Sequence, residues 1–145
     1  NQNEFTPRND NDLAKWRDMI TVNVHEAVVN GEQLAEVANR ILSNFQRRWK
    51  ILRTDSKAGT AGRPAEHLIV AALGDPNFLE AAFARCVLAN GVGFVTVYSH
   101  RIYGQAAGPA MSEWLKTNGV PVEKALMEWD KLPSAASLKR LPQSK

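Results

Sequence analysis

Apolar side chains at Leu13, Trp16, Ile20, Val24, Ala27 and Val28 recur at steps of one, three and four, the spacing of a single stripe along a helix. Asp10, Asn11 or Asp12 can cap that helix by offering a side-chain oxygen to an unpaired backbone N–H. The β-branched group Ile20, Thr21, Val22 and Val24 lowers helix propensity and favours a shorter helix there. Asn30-Gly31 is a strong stop. Leu34, Val37, Ala38, Ile41, Leu42, Phe45, Trp49 and Leu52 then hold one seam over about five turns. Its polar side opens with Glu32 and Glu36 and closes with Arg47, Arg48, Lys50 and Arg53, which suits the helix dipole at both ends. With so short a link between them, these two helices are expected to form an antiparallel hairpin.

Residues 54–63, TDSKAGTAGR, carry almost no apolar bulk and read as a long loop, a kind of segment that is functional more often than average. Pro64 opens a third expected helix, which Gly74 closes. Asp75 and Pro76 suit the cap and first position of a fourth, with Phe78, Leu79, Ala82, Phe83, Cys86, Val87 and Ala89 inward and Asn90-Gly91 as its end. The segment 92–98, VGFVTVY, is rich in β-branched and aromatic residues. It reads as one short strand or, because no partner strand is visible, as a buried helix. Helices over 110–117 and 121–131 complete the set, and the composition from 133 onward turns to Ser, Ala, Lys and Pro. The expected fold is mainly α: a single compact domain of about six helices over 1–132, beginning with the helical hairpin, and a C-terminal tail over 133–145.

Composition narrows the class. The 145 residues are 44% hydrophobic and 23% charged, values of a globular chain rather than a disordered one. No apolar run reaches the roughly 18–20 residues of a membrane-spanning helix. Cys86 is the one cysteine, which excludes an internal disulfide and a multi-cysteine metal site. His25, His67 and His100 are scattered, and neither a metal site nor a cofactor is expected.

The net charge of +3 hides an uneven distribution. Arg40, Arg47, Arg48, Lys50, Arg53, Lys57 and Arg63 face Asp55 alone within residues 40–63, a local charge of +6. Such a segment attracts acidic proteins, phosphates or an anionic membrane face. The sequence begins at Asn1 without a methionine, which slightly favours a periplasmic or secreted bacterial protein over a cytoplasmic one.

Reactive side chains are densest in YSHRIYG, residues 98–104. Ser99 and His100 could act as nucleophile and base, with Arg101 holding an anion and Tyr103 beside them. Neighbours in an extended chain point to opposite faces, which argues against that pair. The His25-Glu26 and Glu66-His67 pairs sit on expected helices, where adjacent residues diverge by about 100°. Cys86 reads as a small buried hydrophobe, and Trp16, Trp49, Trp114 and Trp129 as core or interface anchors. Gly91-Val92-Gly93 lacks the third glycine of a dinucleotide fingerprint.

The expected function is therefore a non-catalytic protein-binding or adaptor module, an exported bacterial factor that docks on or neutralises a partner with an acidic surface. The docking residues would be Arg40, Arg47, Arg48, Lys50, Arg53, Lys57 and Arg63. The alternative is a small hydrolase-like enzyme using Ser99, His100, Arg101 and Tyr103, with Glu66 as the acid within reach. Nucleic-acid binding through residues 40–63 ranks third, because no helix-turn-helix or RNA-binding signature accompanies the charge.

Overall fold

The computed structural model describes residues 2–7, 15–129 and 132, and it overturns the mainly α expectation. The order of elements is β1 (Gln2–Phe5), β2 (Asp18–His25), α1 (Gly31–Arg48), β3 (Lys50–Lys57), β4 (Glu66–Gly74), β5 (Phe78–Ala89), β6 (Val92–Tyr103) and α2 (Ala107–Glu128). All six strands join one antiparallel sheet in the order β1-β2-β6-β5-β4-β3. The helix α1 packs on one face through Leu34, Val37 and Ala38 against Cys86 and Val95. The helix α2 packs on the other through Met111 and Leu126 against Leu68, Val70, Ala81 and Phe83.

The architecture is a sheet with a helix on either side, not a helical bundle, and the helical hairpin expected at its start does not exist. Its first member is the strand β2, where the β-branched run Ile20–Val24 prevails over the helical spacing. The expected helices after Pro64 and Pro76 are the strands β4 and β5. Both strands are covered on their two faces, so the alternation of polar and apolar residues that marks a half-exposed strand is missing. In β4, Leu68 and Val70 meet α2 while Ile69 and Ala71 are buried on the opposite face. In β5 the alanines imitate a helix although Ala81, Ala82 and Ala84 are buried inside the sheet.

Turn chemistry also differs from the expectation. Asp75 caps no helix; its side chain accepts from the Asn77 N–H at 3.0 Å inside the β4–β5 turn. Asn90 and Gly91 have φ of 54° and 80°, the left-handed pair that a tight two-residue hairpin requires, and they link β5 to β6. The segment 92–98 is a strand with β2 and β5 as its neighbours, and it runs on to Tyr103.

The expected second helix is present as α1, capped by Asn30, whose side chain accepts from the Gln33 N–H at 2.9 Å. It ends earlier than its seam suggests. Trp49 is already extended, so Leu52 and Arg53 belong to β3. The last two expected helices are the single helix α2, which continues through Asn118, Gly119 and Pro121. Asn118 steadies that stretch by donating its side-chain amide to the Trp114 carbonyl at 3.1 Å. The proposed caps at 10–12 and the tail at 133–145 lie outside the described residues.

Candidate functional site

The cationic segment occupies the second half of α1, the edge strand β3 and the loop that follows. Arg47 and Arg48 sit in the last turn of α1, where positive charge complements the partial negative charge of the exposed carbonyls. Arg40 and Arg47 lie one above the other along the helix, and with Asn39, Ser43 and Asn44 they line a hollow of about 310 Å³. Phe45 and Trp49 close this end of the helix with ring centroids 5.1 Å apart. Lys50, Arg53 and Lys57 follow on β3, and Arg63 lies in the loop, where it forms an isolated bridge with Thr60.

All seven cations are exposed. Arg53 alone forms a salt bridge with another described residue, at 3.0 Å from Glu123 of α2. Elsewhere the cations at the sheet are engaged. Arg85 pairs with Glu66, and Arg101 pairs with Glu80 at 2.5 Å while lying between the rings of Trp16 and Phe78, 4.0 and 3.9 Å from their centroids. Those arginines hold the fold together; the seven face solvent.

The four residues of the 98–103 segment are divided by the pleat. Ser99, Arg101 and Tyr103 fall on the face bearing Glu80 and Phe78, and His100 falls on the α2 face. Tyr103 donates its hydroxyl to the Trp16 carbonyl at 2.7 Å. Glu66 belongs to the α2 face but is engaged by Arg85. Ser99 and His100 therefore do not meet.

His100 instead donates its Nδ1–H to Asp18 at 2.8 Å and lies flat on Trp114, 4.1 Å between centroids. Tyr98 donates to the same carboxylate oxygen, and burial, with Asp18 second, pushes its phenol pKa well up. Asp18 is the member of this cluster that the sequence concealed: read as part of a helix, it had no register with His100, whereas in β2 it lies directly opposite. Ser56 and His67 form a second pairing across β3 and β4, 2.8 Å from Oγ to Nδ1. These two residues lie directly opposite each other in the register, so their hydrogen bond joins β3 to β4.

Cys86 is fully buried beneath α1, and burial pushes its thiol pKa up to about 12. His25 and His67 have lowered pKa values, both chiefly through burial, His25 also through the charge of Arg40. The unfolded chain then takes up protons near 6.5 that the native state refuses until lower pH. Stability is accordingly full above pH 7 and declines as pH falls through 6.5 toward the native values. Urea midpoints at pH 7.5 and 5 check this: His67→Gln should reduce the difference, and an unchanged difference would show that His67 does not contribute. Solvent screens both groups, so the effect is small.

No family model matches the sequence, and no curated protein matches it. Among solved structures, the chain is similar to PA94 of Pseudomonas aeruginosa, a protein of unknown function, with a TM-score of 0.55 and 12% identity. That likeness covers 92% of this chain and 85% of the other, and at so low an identity it shows the shared fold alone.

Proposed function

We propose that this protein is a non-catalytic binding module that docks an acidic partner protein on the surface formed by α1 and β3. The observation that carries this reading is the contrast in pairing. Arg40, Arg47, Arg48, Lys50, Lys57 and Arg63 are exposed and form no salt bridge with a described residue, whereas Arg85 and Arg101 are buried or half-buried in ion pairs. Unneutralised charge of one sign concentrated on one surface steers association with a partner of the opposite sign. The hollow along α1 and the half-buried Phe45 and Trp49 offer shape and apolar area beside that charge. No helix among the described residues is long and apolar enough to cross a membrane.

The test uses the charge itself. Replacing Arg47, Arg48 and Lys50 together with glutamate should weaken binding of a fluorescent 20-residue poly-glutamate by at least about tenfold at low salt, since each exposed pair contributes about 0.2–1 kcal/mol and reversal adds repulsion. The far-UV circular dichroism should not change. Unaltered binding by the triple variant would refute this surface. A 20-nucleotide single-stranded DNA bound more tightly than the acidic peptide, with a steep salt dependence, would transfer the site to nucleic acid.

A further inference from the structure

We infer that the partner reaches this surface as an extended acidic segment that adds a seventh strand to the sheet beside β3. The inference rests on the proposed docking surface and gives it a geometry. The strand β3 ends the sheet, pairing with β4 on one side and with no described strand on the other. The opposite edge of the sheet is the four-residue β1, half as long as the eight residues of β3. A terminal strand presents alternating N–H and C=O groups that only another backbone can match in full.

The edge has two parts. Between Ile51 and Arg53 the register with β4 shifts, and Leu52 drops out of the pairing with 42% of its surface exposed. From Arg53 to Lys57 the pairing is regular, opposite Val70 to Glu66, a stretch of five residues or about 17 Å. Lysines and a bulge are devices that discourage indiscriminate edge pairing. Here they make pairing selective, because Lys50 and Lys57 repel a basic strand and welcome an acidic one.

Charge also decides between occupants. A second copy would bring another segment of local charge +6 against the first. A nucleic-acid backbone offers phosphate acceptors to the N–H groups but nothing to the C=O groups. An extended segment with acidic side chains satisfies both the backbone and the cations, and one apolar side chain on it would cover Leu52.

Two acetylated nine-residue peptides test this: one alternating Glu and Val, and a twin with Pro in place of each Val, which keeps the charge but cannot form a ladder. The Glu/Val peptide is expected to bind at least about tenfold more tightly than its twin. At saturation it should slow hydrogen exchange of the outward β3 amides by at least about tenfold while leaving β6 unchanged. Equal binding of the two peptides, or binding without β3 protection, would overturn strand addition. If that binding were still lost in the Arg47, Arg48 and Lys50 triple variant, the docking surface would stand without it. Failure of both peptides and of poly-glutamate to bind would remove the surface as well. Protection of β3 that grows with protein concentration in the absence of peptide, together with a dimer in sedimentation, would assign the edge to a second copy and overturn the acidic segment.

Discussion

Arg85→Met is expected to destabilise the protein by about 3–5 kcal/mol, the usual loss when one member of a buried ion pair is removed. Arg85 projects from β5 toward α2 and is 6% exposed. Its Nε and Nη2 donate to Glu66 at 3.3 and 3.2 Å, and Nη1 donates to the carbonyls of Leu126, at 3.1 Å, and Trp129. The last turn of α2 contains no basic residue of its own, so this guanidinium, brought in from the sheet, answers the partial negative charge at the end of the helix. Methionine fills similar space and takes the guanidinium donors from the Glu66 carboxylate and the Trp129 carbonyl, while the Leu126 carbonyl keeps only the Trp129 N–H. A second change, Glu66→Gln, removes the orphaned charge and should recover part of the loss; the remainder measures the helix carbonyls alone. Arg85→Lys should fall between, because an ammonium cannot reach both sets of acceptors in the fixed geometry of a guanidinium. Urea denaturation followed by circular dichroism gives all three values. A loss below about 1 kcal/mol for Arg85→Met would mean that the pair and the cap are dispensable.

This latch explains much of what the amino-acid pattern concealed. Arg85 sits in FLEAAFARCVLA, which has the alanines and apolar steps of a helix, yet in β5 it shares a face with Glu66 and Phe83 and opposes Thr96. Only the register between strands brings these residues together, and register is a property of pairs of segments, not of one. The same holds for Asp18 and His100, 82 positions apart in sequence and in contact across β2 and β6. Local chemistry was legible where it is local. The acidic-to-basic gradient of α1 and the β-branched, aromatic character of 92–98 follow from neighbouring residues, whereas Asn30, read only as a stop, is the cap that opens α1. Asn90-Gly91 was legible too, as a break, but its two positive φ values close a hairpin and do not end a helix. The missing alternation in β4 and β5 has a physical origin: strands covered by helices on both faces carry apolar residues on both faces, so polar and apolar positions do not alternate. The cationic positions from Arg40 to Arg63 stay on the surface in either fold, so that candidate site did not depend on the helical reading.

Gly93→Val is expected to cost about 2–3 kcal/mol by overpacking, although valine is otherwise favoured in strands. Gly93 lies near the start of β6, where the chain leaving β2 crosses over it. Its N–H donates to the Val28 carbonyl at 2.8 Å, and a Cβ at this position would stand 2.8 Å from Val28 Cγ1 and 2.9 Å from Val28 Cβ. Such distances force one segment to move. The segment that moves is 26–30, which holds the Asn30 cap and sets the direction of α1; Val28 itself is 8% exposed and packs with Leu34, Val37 and Ala38. A change in the sheet should therefore be felt in the helix that carries Arg40 and Arg47. Truncating the neighbour separates this steric cause from a loss of backbone flexibility. In the Gly93→Val, Val28→Ala double variant the Cγ1 clash is gone while the Cβ contact remains, so the two changes should cost less together than the sum of each alone. Additive losses, or a Gly93→Val variant within about 0.5 kcal/mol of the parent, would show that the crossing tolerates a side chain and that α1 is aimed by other contacts.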